Sequence, residues 1–167
     1  GVEVAQRGAE LRALQHAVAV RVVRREDVAD AEHGGGAVEE GGEAVVHAER
    51  VKRVLVVDSV ADEYAKEVTA LTEAIKYGDP FAPGIAVGTV IDEDAARVLE
   101  GRVTQAVADG AELLLGGGRR GALMEPTVLD RVPRTTPMVV EESFGPLAPI
   151  IPVKDLDDAI AWYNSGP

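Results

Sequence analysis

The chain changes its amino-acid alphabet at Val51. Residues 1–50 use nine types only, Gly, Val, Glu, Ala, Gln, Arg, Leu, His and Asp, whereas residues 51–167 use nearly the full set. All six aromatics, Tyr64, Tyr77, Phe81, Phe144, Trp162 and Tyr163, follow the break, as does every Ile, Lys, Pro, Ser, Thr, Met and Asn. His16, His33 and His47 all precede it. The orderly part of the chain is therefore expected at 51–167. Each of the nine early types has a codon beginning with G or C, the mark that an out-of-frame or antisense reading of a GC-rich gene would leave. The alternative is a low-complexity helix over roughly residues 2–30 followed by a linker, since Ala, Leu, Arg, Glu and Gln are good helix formers. Local signals conflict there: Leu11, Leu14 and Val18 follow a helical spacing, while Val18, Val20, Val22 and Val23 fit a strand better. Gly34–Gly36 and Gly41–Gly42 break any element.

At 167 residues the chain suits one domain. Its 46% hydrophobic and 28% charged residues predict a soluble globule, and no window approaches the roughly 18 unbroken apolar residues of a membrane span. Seventeen basic against 29 acidic residues give a net charge of -12, which repels nucleic-acid phosphates and anionic lipid, so neither is an expected partner. The absence of cysteine removes disulfides, thiolate zinc sites, iron–sulfur clusters and a thiol nucleophile. The first residue is Gly1 and no signal peptide is evident, so the expected location is the cytoplasm and the chain reads as a piece of a longer one.

From Val51 the pattern alternates strand and helix. Val54–Val57 is a continuous apolar run, as for a parallel strand buried on both faces. Ser59 or Asp62 is placed to cap a helix whose inward face is Tyr64, Val68, Leu71 and Ile75, ended by Gly78-Asp79-Pro80. A second helix is expected over 92–109, with Ala95, Leu99, Val103 and Val107 inward and acidic residues in the first turn. Further strands are expected at 111–115, 127–132 and 147–153, the last with Pro149 and Pro152 suggesting an edge or an irregular end. Asp155 caps a final helix. The expected fold is α/β, a largely parallel sheet with flanking helices.

Three constellations invite a chemical reading. Gly116, Gly118 and Gly121 satisfy Gly-x-Gly-x-x-Gly after a strand, but the dinucleotide fingerprint needs a helix to start at the glycines, and Glu125-Pro126 with a β-branched run follows instead. The reading is a glycine turn carrying two exposed arginines, Arg119 and Arg120. The histidines are spaced too irregularly for a metal motif, so no metal is expected, and none lies after residue 47 to serve a hydroxyl nucleophile. Glu141-Glu142-Ser143-Phe144-Gly145-Pro146 joins two carboxylates, an aromatic and a Gly-Pro turn before an apolar strand. It is either a solvated acidic turn with Phe144 in the core or a nucleotide contact, in which a carboxylate chelates a ribose diol and an aromatic packs on a planar ring.

Val51-Lys52-Arg53-Val54-Leu55-Val56, Tyr77-Gly78-Asp79-Pro80, Val87-Gly88-Thr89-Val90-Ile91-Asp92, Pro126-Thr127-Val128-Leu129 and Glu142-Ser143-Phe144-Gly145-Pro146 together resemble the aldehyde dehydrogenase superfamily. The wording of 53–58, 88–93 and 120–129 looks closest to the phosphonoacetaldehyde dehydrogenase group. The resemblance implies that residues 51–167 are part of the catalytic domain, and that residues 1–50 stand apart as an unmatched segment. It implies NAD or NADP as cofactor, with Glu142 holding the nicotinamide ribose and Phe144 packing by the nicotinamide. It implies a small-molecule aldehyde, such as phosphonoacetaldehyde, oxidised to its acid, and a homo-oligomeric full-length enzyme. In that family a cysteine thiolate attacks the aldehyde and a glutamate-activated water releases the acid. Counting back from Arg53, the cysteine position falls at Ala48, beside His47. The resemblance thus implies a fragment lacking its nucleophile and its dinucleotide-binding domain, not competent alone. A non-catalytic acidic α/β module for binding or assembly is the alternative.

Overall fold

Val54–Val57 forms the second half of a strand that carries helices on both of its faces. The structure, a computed structural model, describes residues 19–23 and 51–165. Its elements are β1 (Ala19–Val23), β2 (Val51–Val57), α1 (Asp58–Glu73), α2 (Glu93–Ala108), β3 (Glu112–Leu115), β4 (Arg119–Arg120), β5 (Leu123–Met124), β6 (Thr127–Asp130), α3 (Pro137–Val140), β7 (Leu147–Val153) and α4 (Leu156–Ser165). Five strands make one sheet in the order β1-β2-β7-β6-β3, and β4 with β5 makes a separate hairpin. All neighbouring pairs of the large sheet are parallel except β6–β3. The fold is α/β with a largely parallel sheet and flanking helices.

Alternate residues of each strand feed two cores, as strand pleating requires. Val54 and Val56 of β2, Val128 of β6 and Ile150 of β7 pack with Val60, Ala61 and Ala65 of α1. Leu55, Leu129, Ile151 and Val153 pack on the other face with Leu99, Val103 and Ala106 of α2, Met138 and Val139 of α3 and Ala159 of α4. Leu55, Leu129, Ile150 and Ile151 are fully buried, each contributing about 1.5–3 kcal/mol of burial.

Several sequence expectations need correction. Residues 19–23 are a strand paired with β2, where a helix over 2–30 was one alternative; the valine alternation wins over helix propensity once a neighbouring strand supplies partners. The helix after β2 starts at Asp58, directly on Val57, with no side-chain cap from Ser59 or Asp62. Its inward stripe is Val60, Ala61 and Ala65 with Tyr64 and Val68 half-covered, and Leu71 is 70% exposed. The two alanines let the helix sit close on Val54 and Val56. On α2 the stripe is Ala96, Leu99, Val103 and Ala106, leaving Val107 exposed and Ala95 half-buried. Strict four-residue steps drift around a helix of 3.6 residues per turn, whereas three-four-three steps stay on one face. Its ends match expectation: Asp92 Oδ1 accepts from Ala95 N at 2.7 Å, and Asp155 caps the start of α4 in the same way through Asp158 N at 2.9 Å.

The proline-bearing β7 is the central strand, not an edge. Thr127 N donates to Pro146 O and Val132 N to Ile150 O, so even-numbered residues of β7 face β6. Pro152 therefore faces β6, but the β6 register ends at Leu129↔Pro149. Pro149 faces β2, whose register begins only at Val54↔Ile150. Each missing N–H falls where no ladder partner needs it.

Candidate functional site

The Glu141–Pro146 segment links α3 to the central strand. α3 begins at Thr136 with Pro137 in its first turn, where proline's missing N–H costs nothing. It ends after one turn and leaves carbonyls without helical partners. Arg53 from β2 takes them: Nε donates to Val139 O at 2.6 Å and Nη2 to Val140 O at 3.4 Å. On the other side Arg102 of α2 grips the loop itself. Its Nη1 donates to Glu142 O and to Ser143 Oγ, both at 2.6 Å, and Nη2 meets Glu141 Oε2 at 2.5 Å. One turn earlier on α2, Leu99 lies against Gly145 so closely that a Cβ on the glycine would overlap it.

Glu142 and Phe144 are thus two residues apart on one loop held by α2, both at the surface, with Phe144 70% exposed. Phe144 is not tucked into the core, so the solvated-turn alternative fails in that respect. Ala48, where the resemblance puts the family's cysteine position, lies outside the described residues, as do His16, His33 and His47.

The glycine motif is otherwise occupied. Gly116 and Gly117 have φ of +73° and +93°, and a β-hairpin follows where the fingerprint needs a helix. Gly117 N donates to Thr127 Oγ1 at 2.9 Å and Gly118 N to Glu125 Oε2 at 3.1 Å, so these amides already have acceptors. Arg120 is exposed as expected, but Arg119 is not: its side chain is 19% exposed, with Nε on Glu100 Oε2 at 2.7 Å. That ion pair anchors the hairpin to α2.

Two arginines that matter here, Arg53 and Arg102, were not singled out from sequence. Arg102 had a signal: it stands three residues after Leu99 and four before Ala106, at the margin of an apolar stripe, and its side chain is only 14% exposed. Behind α3 a cavity of about 110 Å³ is lined by Arg53, Arg134, Val140 and Trp162 among others. Arg53 and Arg134 lie 5.9 and 5.6 Å from the Trp162 ring centre. Arg134 also forms a two-pronged pair with Asp158 at 3.0 and 2.6 Å. Both guanidinium groups are thus committed to internal partners, which makes this a structural knot.

The sequence model of the aldehyde dehydrogenase family matches residues 36–167. The chain belongs to this family. The match reaches back past the compositional break at Val51. A probable NADP(+) succinate-semialdehyde dehydrogenase of Sinorhizobium fredii is 36% identical over 115 residues, 67% of this chain and 23% of that protein. A 3-sulfolactaldehyde dehydrogenase of Pseudomonas putida is 33% identical over 116 residues, 68% of this chain and 24% of its own length. Among solved structures, the NADP-dependent glyceraldehyde-3-phosphate dehydrogenase of Bacillus halodurans complexed with NADP superposes with a TM-score of 0.74 at 33% identity, covering 88% of this chain and 30% of that one. The chain spans about a quarter of the length of the curated relatives it matches. Among the described residues no helix is long and apolar enough to cross a membrane.

Proposed function

We propose that residues 51–167 are part of the catalytic domain of a cytoplasmic, homo-oligomeric aldehyde dehydrogenase that oxidises an aldehyde to its carboxylic acid with NAD or NADP. The observation that carries this reading is the loop, held from α2, that brings Glu142 and Phe144, two residues apart, to the surface. A bound nicotinamide dinucleotide supplies the hydride acceptor for such an oxidation. Glu142 accepts hydrogen bonds from the diol of the nicotinamide ribose, and Phe144 packs by the ring and limits its swing, which is the geometric requirement of hydride transfer. NADP is the favoured form, because relatives carry it in their names.

The substrate we propose is a short aldehyde bearing a second anionic group, with phosphonoacetaldehyde the member favoured by the wording of 53–58, 88–93 and 120–129. Succinate semialdehyde, 3-sulfolactaldehyde and glyceraldehyde 3-phosphate, the compounds in the relatives' names, carry a carboxylate, a sulfonate and a phosphate in the corresponding role. The chain contains no cysteine, and Ala48 stands five residues before Arg53. In our reading it forms no acid by itself. The test is formation of reduced cofactor by the purified chain and by Ala48→Cys, with phosphonoacetaldehyde and succinate semialdehyde at high NADP. No turnover is expected from either, since a thiol with a reference pKa of about 8.5 needs an electropositive, positioned setting to react at neutral pH. Turnover by the cysteine variant would show that this chain holds a competent site. Sequencing the source DNA decides the standing of residues 1–50: codons there that do not uniformly begin with G or C would remove the out-of-frame reading.

A further inference from the structure

We propose that Arg102 is a positioning residue for the nicotinamide end of the cofactor site, acting through the loop that carries Glu142 and Phe144. The inference rests on the reading of those two residues given above. The loop's two ends are tied by backbone hydrogen bonds, Glu141 N to Pro137 O and Thr127 N to Pro146 O. Its middle crosses α2, and there the guanidinium of Arg102 reaches three acceptors on three successive residues, Glu141 Oε2, Glu142 O and Ser143 Oγ. The planar fork of arginine matches such a set, whereas a lysine presents one compact ammonium. Leu99 closes on Gly145 from the same helix face, so α2 holds the loop on both sides of Phe144.

This arrangement divides the labour of the paired carboxylates. Glu141 is engaged by its side chain, which balances the half-buried guanidinium. Glu142 is engaged by its backbone carbonyl, which fixes where its side chain originates. Loss of Arg102 is therefore expected to loosen Glu142 and Phe144 together without touching a nucleotide itself.

The test uses the full chain, Arg102→Leu and Arg102→Lys. Amide hydrogen exchange at residues 142–145 reads loop order, and saturation transfer with a titration of NADP+ reads contact at the nicotinamide protons. Arg102→Leu is expected to exchange faster at these amides and to bind NADP+ about tenfold more weakly, the size expected for losing a charged hydrogen-bond set, while Arg102→Lys recovers part of both. Nicotinamide contact and loop exchange that are unchanged in Arg102→Leu would overturn the positioning role and leave the reading of Glu142 and Phe144 intact. Absence of nicotinamide contact in the unaltered chain even at millimolar NADP+, the range left to a chain read as lacking the rest of the dinucleotide site, would sink that reading and this inference with it. Where Arg102→Leu fails to fold, Glu141→Gln with Ser143→Ala removes two of the three acceptor contacts from the other side, and the same two outcomes apply.

Discussion

Gly145 and Leu99 fit together with no room for a single added methyl group. The contact is between a loop glycine and a buried side chain of α2, which is 3% exposed and packed into the larger core. Gly145→Ala must therefore displace either the loop or Leu99, and overpacking of this kind costs about 1–3 kcal/mol. Leu99→Ala alone opens a cavity, but combined with Gly145→Ala it makes room for the methyl. A double-mutant cycle by urea denaturation is expected to give a favourable coupling between the two substitutions of roughly 0.5 kcal/mol or more. Strict additivity would show that the loop yields freely.

Acid stability should depend on Arg134 and Asp158. The Arg134 guanidinium hydrogen-bonds the Asp158 carboxylate, and with the Lys154 N–H it holds that carboxyl at about 2, below the usual carboxylate range. A depressed folded value means that the pair contributes in full above about pH 4, and that its contribution is lost as the pH falls towards 2. The chain's single tryptophan, Trp162, lies over Arg134 and reports the loss by fluorescence. Asp158→Asn is expected to flatten the dependence of stability on pH between about 4 and 2, with little effect on its slope near neutrality. An unchanged acid profile in that variant would remove the pair as its source.

Thr136 is 1% exposed and its Oγ1 has no hydrogen-bond partner among the described residues, although it stands at the start of α3 where a threonine usually caps. Burying a hydroxyl unsatisfied is costly, and valine has nearly the same shape. Thr136→Val is expected to raise stability by about 1 kcal/mol, seen as a higher urea midpoint at unchanged slope. A loss of stability would mean that the hydroxyl does have a partner.

Arg131 has φ of +51°, the left-handed region, at the end of β6. That conformation costs a residue with a Cβ roughly 1–2 kcal/mol. Its pairs with Asp62 and Glu112 are solvent-exposed on both sides and such pairs contribute about 0–1 kcal/mol, while that with the buried Asp130 is long, at 3.9 Å. Arg131→Gly is accordingly expected to hold or raise the thermal midpoint, and Arg131→Val to lower it. A marked loss in the glycine variant would show that the ion pairs outweigh the strain.

The longer strands and helices after Val51 are legible from local patterns: the apolar run of β2, Leu99 and Val103 in the stripe of α2 and Asp155 before α4 match the structure, whereas Ala95 and Val107, the short α3 and the β4–β5 hairpin do not follow from them. What was misread is relational. Which side of α1 faces inward depends on how closely Ala61 and Ala65 let it approach the sheet. The place of β7 depends on where β2 and β6 start and stop. The loop carrying Glu142 and Phe144 was legible through resemblance and its turn chemistry, but its hold on Arg102 joins residues some forty positions apart, which no local pattern encodes. The hairpin arginines divide for the same reason, since Glu100 that pairs with Arg119 sits on a different element.

The prolines of the central strand set its alignment as well as tolerating it. Sliding β7 forward by two residues would keep every side chain on its face but bring Pro149 into the place of Ile151, against β2. Sliding it back would bring Pro152 into the place of Ile150, against β6. Either slip leaves an acceptor on a neighbouring strand with no N–H to meet it. The two rings therefore act as stops in opposite directions, so a sheet whose apolar faces would tolerate several alignments is held to the one that sets Gly145 against Leu99.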